Sequence, residues 1–295
     1  MDATNGKGWL AACALALGLS MLAGTADANI YGDDDRRDIR PEDGLSGVGT
    51  IVCEGTTRRP TGALIASALL PAERDYDIVV SVAHVFIGPR GTRLTRCKFL
   101  PQAAPGISAR IIFTENGSHT PYRDRDWHND WTVAVLDRRL PDELERLEPR
   151  VVDEVDAVTL REDGVRFKLA GHNGERGPIQ MSEHCGPVRK ASSHLNRFDP
   201  RVLNHDCDMM PGWSGGPLIL HEGGADYLIA VNSQASNAIT HVTGRPYSGG
   251  LNPNVAIRVD GQFKRAIDRL LRSGASGVTT ACIVASMDDL PALPC

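Results

Sequence analysis

From Gly47 onward the apolar residues of this chain fall into short runs broken by turns, and a helical period appears only near the far C-terminal end. The runs at 47–53, 62–66, 78–82, 109–114 and 130–136 are dominated by valine, isoleucine and two-residue alternation, the pattern of half-buried strands. An acidic, proline-bounded segment at 141–149 then marks a crossing to a second series. There, 157–160 and 165–169 flank Arg161-Glu162-Asp163-Gly164, while 217–220 and 227–233 flank a turn with Gly223-Gly224, and both pairs read as hairpins. Thirty glycines and eighteen prolines beside only 5% aromatic residues favour many turns over long helices. The expectation is an all-β chain of two small barrels. Val259, Phe263, Ile267, Leu270 and Leu271 predict one closing helix, placed on the second barrel.

The first 28 residues are read as lying outside this fold. Lys7 precedes an apolar stretch at 9–23 that ends in Ala26-Asp27-Ala28, a secretory signal peptide pattern with cleavage expected after Ala28. The stretch is shorter than the roughly 20 residues a spanning helix needs, which ranks an uncleaved anchor second. A secreted or periplasmic location and no stable membrane insertion after cleavage follow as expectations. Cleavage removes Cys13 and leaves Cys53, Cys97, Cys185, Cys207, Cys282 and Cys295, an even set in an oxidising compartment. Their succession suggests Cys53 with Cys97, Cys185 with Cys207, and Cys282 with Cys295. A zinc site from His184, Cys185, His205 and Cys207 has suitable donors but lacks the short cysteine spacing of structural zinc sites.

A net charge of -5, with 41% hydrophobic and 23% charged residues, excludes a disordered chain and gives no basic footprint for a nucleic-acid partner.

Three strings carry chemistry. In Asp206-Cys207-Asp208-Met209-Met210-Pro211-Gly212-Trp213-Ser214-Gly215-Gly216-Pro217-Leu218 a serine lies among glycines. Gly212 permits a turn that aims the N–H groups of Gly212 and Ser214 at one point, and Gly215 and Gly216 are read as leaving room for substrate. Ile78-Val79-Val80-Ser81-Val82-Ala83-His84 ends an apolar strand in a histidine, a candidate base. Asn129-Asp130-Trp131-Thr132-Val133-Ala134-Val135-Leu136 starts a buried strand with a carboxylate, which is costly there unless partnered.

Together these strings resemble the chymotrypsin-like, or trypsin-like, serine peptidases. The family's histidine motif is an apolar strand ending Thr-Ala-Ala-His, matched in outline by Ser81-Val82-Ala83-His84. Its aspartate motif matches Asp130 to Leu136, and Gly-x-Ser-Gly-Gly-Pro matches Gly212 to Pro217 letter for letter. The order His, Asp, Ser also matches, and the resemblance spans about Ser46 to Val259. It implies two antiparallel six-stranded β-barrels, at 46–150 and 151–258. These would follow a strap or pro-segment at 29–45 and precede a helix with a disulfide-tied tail at 259–295.

The resemblance implies a secreted serine endopeptidase in which Ser214 attacks the scissile carbonyl, His84 relays the proton and Asp130 orients His84. Gly212 and Ser214 would form the oxyanion hole, and the Cys53–Cys97 bridge would brace the strands that present His84. No cofactor is implied, the partner is a peptide or protein substrate, and a monomer is expected. The opening Asn29-Ile30-Tyr31-Gly32-Asp33-Asp34-Asp35-Arg36 and the surroundings of Ser214 are nearest to secreted bacterial glutamyl endopeptidase-like enzymes.

Some positions depart from the family. Trp213 stands where animal members carry the aspartate that meets a newly cut N-terminus. Asp208 has the offset of trypsin's basic-selective aspartate. The strand through Val231, Asn232 and Ser233 should edge the substrate pocket, with Ser233 near Asp130 and Asn232 where glutamyl endopeptidases present histidine. The cleavage preference stays open. Gly-x-Ser-x-Gly also fits the nucleophile elbow of lipases, but the acid and histidine precede the serine here. The alternative from another class is a silent peptidase homologue acting as a binding module. His119, His128, His172, His221 and His241 show no metal spacing and read as surface or loop groups, and Asn116-Gly117-Ser118 fits a glycosylation sequon.

Overall fold

A computed structural model describes residues 29–66, 75–88, 91–118, 121, 126–174, 177–189, 199–235 and 248–272. The expected signal peptide and the Cys282–Cys295 pair lie outside the described residues.

A two-residue strand, β1 (Arg37–Asp38), precedes six that form a closed antiparallel barrel. These are β2 (Val48–Val52), β3 (Thr61–Leu64), β4 (Ile78–Ser81), β5 (Lys98–Pro101), β6 (Ala109–Asn116) and β7 (Thr132–Leu136), in the order β2-β3-β4-β7-β6-β5. β4 and β7 are buried along their whole length, which explains why their sequences run apolar rather than alternate. Cys53 and Cys97 are bonded, and they flank the Val52–Lys98 pair between β2 and β5. The bridge therefore staples that seam of the barrel, not the strand that leads to His84 as expected.

The second sheet comprises β8 (Glu148–Pro149), β9 (Arg166–His172), β10 (Ile179–Cys185), β11 (Val202–His205), β12 (Pro217–Glu222), β13 (Ala225–Gln234) and β14 (Asn254–Arg258), joined by β1. Six of them follow the order β10-β9-β12-β13-β14-β11, with β1 appended to β10 and β8 running parallel to β13. Beyond β10 the chain closes the ring onto β11 through a bridge between Pro187 and His205, flanked by Val188 N–H to Asn204 O at 2.9 Å. The Cys185–Cys207 disulfide sits beside this closure and takes both sulfurs out of any metal-ligand set.

Residues 157–160, expected as a strand, belong to helix α1 (Glu154–Glu162). The Ala-Val-Thr-Leu run fits either period, and local capping decides it. The Asp153 carboxylate accepts the Asp156 N–H at 2.8 Å, acidic residues fill the first turn and Arg161 lies in the last. Helix α2 (Gly261–Arg272) buries Phe263, Ala266, Ile267, Leu270 and Leu271. It packs on the first barrel, not the second: Phe263 stacks on Trp131 with centroids 5.0 Å apart, and Tyr76 Oη–H donates to Leu270 O at 2.7 Å.

Residues 29–43 run along the second sheet. Asn29 exchanges backbone hydrogen bonds with Met209, and Arg37 pairs with Asp43 and Glu183. Among the described residues no helix is long and apolar enough to cross a membrane.

Candidate active site

The register of the first barrel brings two of the singled-out residues together. Ser81, the last residue of β4, is paired with Thr132, the first of β7. His84 lies three residues past one strand end and Asp130 two residues before the other, so they meet at the same rim. His84 Nδ1 is 2.7 Å from Asp130 Oδ2, and the His84 backbone N–H donates to Oδ1 at 2.8 Å. A carboxylate only accepts, so Nδ1 carries the proton and Nε2 of the neutral ring keeps its lone pair.

Asp130 is fully buried. Its third donor comes from the second sheet, where Ser233 Oγ–H donates to Oδ2 at 2.6 Å. Three donors offset the cost of removing this carboxylate from water.

Ser214 reaches the same rim through the register of β12 and β13. Pro217 pairs with Val231, and the ladder continues past the strand end as Gly215 N–H to Asn232 O at 2.7 Å and Asn232 N–H to Gly216 O at 2.8 Å. Ser233 is the next residue on that strand. Gly215 has φ +83°, and a Cβ there would overlap Ser81 Oγ, while one on Gly216 would overlap Ala170 O. These glycines admit neighbouring protein backbone and side chain, not the substrate expected to occupy that space.

The hydrogen bonds of the 212–216 loop separate its groups into two sets. The Gly212 carbonyl accepts from Thr61 Oγ1 at 2.8 Å and the Ser214 carbonyl from Thr61 N–H at 2.9 Å. The Trp213 carbonyl accepts from Asn232 Nδ2 at 3.0 Å and from Gly216 N–H at 2.9 Å, while Trp213 N–H donates to Met210 O at 3.1 Å. The N–H groups of Gly212 and Ser214 donate to no described residue. Both residues are half-buried, and Gly212 sits at φ +106°. Paired donors left open beside a serine suit an oxygen that gains negative charge.

Comparison with solved structures places this architecture. A Glu endopeptidase structure matches over 82% of this chain and 99% of its own, with a TM-score of 0.57 and 15% identity. The protease Anisep from Arthrobacter nicotinovorans matches over 81% of this chain and 100% of its own, at TM-score 0.55 and 14% identity. The thermostable serine protease AL20 from an extremophilic microorganism covers 74% of this chain and 92% of its own, at TM-score 0.50 and 13% identity. The fold is that of the chymotrypsin-like serine peptidases. At these identities the likeness is one of fold. No protein-family model and no curated protein matches the sequence.

Within the chymotrypsin-like fold, the side chains of Asp208, Val231, Asn232 and Ser233, expected to contact substrate, are buried, with Ser233 on Asp130. Asp208 is buried, and its two carboxylate oxygens accept the backbone N–H groups of Tyr31 at 2.7 Å and Asp35 at 3.0 Å, so it holds the N-terminal segment. Val231 packs in the core. The Asn232 side chain turns inward, accepting from His205 Nε2 at 3.1 Å through Oδ1 while Nδ2 holds the Trp213 carbonyl. Cys207 N–H donates to His205 Nδ1 at 3.3 Å, which fixes the neutral Nε2–H tautomer of this fully buried ring. His205, considered above only as a metal ligand, thus positions Asn232. His172 is buried on β9 and not at the surface, whereas His128 bonds Asp126 and Asp199, and His221 bonds Asp226. His119 and His241 lie outside the described residues.

Two buried groups respond to acid in opposite directions. Burial pushes the His205 imidazole down to about 4. The unfolded chain therefore takes up a proton that the folded one refuses, and this group's contribution to stability falls as pH drops from about 6.5 towards 4. Burial, with Asp35 and Asp34 nearby, pushes Asp208 up to about 6, so its contribution rises as pH drops from about 6 towards 4. Asp208→Asn removes the second effect. Its melting temperature is expected to fall more steeply than the parent's between pH 6.5 and 4, which thermal melts across that window measure.

A Cβ at position 171 would overlap the ring of Trp213, which is fully buried. Gly171→Ala is therefore expected to cost about 1–3 kcal/mol by overpacking and to displace the residue before Ser214. The measurement is a thermal melt beside kcat on a peptide substrate; both fall, whereas an effect on stability alone would uncouple Trp213 from the loop.

Proposed function

We propose that this chain is an exported serine endopeptidase. The observation that carries the reading is the buried Asp130 carboxylate bound to His84 Nδ1, which leaves Nε2 as a base on the rim that also receives Ser214.

In this reading Ser214 Oγ attacks the peptide carbonyl carbon and passes its proton to His84 Nε2. The carbonyl π electrons move onto oxygen, and the Gly212 and Ser214 N–H groups receive that oxyanion, each worth about 2.7–4 kcal/mol. As the C–N bond breaks, His84 gives the proton to the departing amine and an acyl-enzyme remains. Water then repeats the sequence: its proton goes to Nε2, its oxygen to the acyl carbon, and the proton returns to Ser214 Oγ as the acid leaves. Asp130 holds the ring tautomer throughout and stabilises the imidazolium.

Export with removal of residues 1–28 agrees with the two disulfides among the described residues. The partner is a peptide or protein substrate, taken by a monomer. Incubating the protein that begins at Asn29 with a mixed peptide library and reading cut sites by mass spectrometry tests the reading. Internal cuts at a consistent set of side chains are expected. A folded protein that leaves every peptide intact would overturn the reading in favour of a binding homologue.

A further inference from the structure

The nucleophile loop is gripped from the first barrel by one residue. Thr61 opens β3 and is fully buried. Its backbone N–H donates to the Ser214 carbonyl at 2.9 Å, and its Oγ1–H donates to the Gly212 carbonyl at 2.8 Å. The same Oγ1 accepts the His172 N–H from β9 at 2.8 Å, which fixes the direction in which the hydroxyl proton points. The Thr61 carbonyl in turn accepts from Ser81 Oγ at 2.7 Å, three residues before His84. One residue therefore ties the end of the histidine strand, a strand of the second sheet and two carbonyls of the serine loop.

The two carbonyls that Thr61 holds belong to Gly212 and Ser214, whose N–H groups are the open donors. Orienting the carbonyl of a residue restricts its backbone, and with it the direction of its own N–H. Glycine at 212 has no side chain to hold its conformation, and on its other face a Cβ would lie 2.6 Å from His172 O. Trp213 between them is held from inside by Asn232. Without the Thr61 hydroxyl, the Gly212 carbonyl loses its donor, and the peptide preceding Trp213 is held only through Trp213 N–H to Met210 O at 3.1 Å.

We infer that the Thr61 side-chain hydroxyl is a positioning residue of the reaction, aligning the Gly212 N–H with that of Ser214 for the oxyanion. The inference rests on the peptidase reading given above. It differs from a packing role because the group that matters is a hydroxyl 2.8 Å from a carbonyl, whereas packing depends on side-chain volume.

The test compares Thr61→Val, which keeps the volume and loses the hydroxyl, with Thr61→Ser, which keeps the hydroxyl and loses a methyl. Expected for Thr61→Val is a fall in kcat of about 10- to 100-fold, below the 10²–10³ lost with a whole oxyanion donor. KM stays within about twofold, and the pH midpoint of kcat/KM stays unchanged. Binding of a peptide aldehyde, which forms an oxyanion on the enzyme, weakens in parallel with kcat, and Thr61→Ser restores both. Should Thr61→Val not fold, Thr61→Ala is compared with Thr61→Ser by the same criterion. Parent-like kcat without the hydroxyl, or equal losses in the variant with and the variant without it, overturns the inference while the peptidase reading stands. A folded parent that neither cleaves peptides nor binds the aldehyde overturns the peptidase reading, and the inference with it.

Discussion

Ser214→Ala is expected to lower kcat by about 10⁶-fold while the protein stays folded. The alanine removes the only atom in the 212–216 loop able to form the acyl bond. It leaves untouched the backbone contacts that hold the loop, since Ser214 is tied to the body of the protein through its carbonyl and Thr61 N–H. Its side chain is half-buried, so the change in stability stays within about 0.5 kcal/mol. Residual hydrolysis over water, of about 10³–10⁴, persists because the open N–H groups of Gly212 and Ser214 still polarise a bound carbonyl. Single-turnover hydrolysis of a chromogenic peptide, beside circular dichroism of both proteins, measures this. A loss below about tenfold in a folded variant places the nucleophile elsewhere.

Asp130→Asn is expected to lower kcat by about 10⁴-fold with KM little changed. The carboxylate accepts from His84 Nδ1, from the His84 backbone N–H and from Ser233 Oγ. An asparagine has one oxygen for these three donors, and its NH₂ faces at least one of them. If the NH₂ turns to His84 Nδ1, the ring proton moves to Nε2 and the base no longer has a lone pair for the Ser214 proton. If the oxygen turns there, it also serves Ser233, and the His84 backbone N–H faces a donor instead. Steady-state kinetics with a thermal melt separates the outcomes, since a purely structural carboxylate would cost stability and leave kcat of the folded fraction unchanged.

What was legible in the sequence follows from how local each feature is. His84 and Asp130 stand beside largely apolar strands, and Ser214 next to glycines, so their neighbours in the chain give them away. β5 alternates over only four residues and ends at Pro101, too short a pattern to stand out. The Ala157 to Leu160 run satisfies both periods, and its helix depends on the Asp153 cap outside it. Asp208, Val231 and Asn232 sit where the family resemblance puts pocket residues, but their occupations are set by residues distant in the chain: Tyr31 and Asp35 for the first, the barrel core for the second and His205 for the third. Thr61 lies one residue outside the apolar run that marks β3, and its importance exists only once Gly212 and Ser214 are brought to it across about 150 residues of chain. Long-range hydrogen bonds of single polar residues leave no periodic trace.

The most direct test of the account is covalent labelling of the native protein with a fluorophosphonate, followed by mass spectrometry of its peptides. One adduct is expected, on Ser214, that disappears when the protein is unfolded before labelling and in His84→Ala. A folded protein that takes no label, or one labelled equally on several serines and unaffected by His84→Ala, would contradict it.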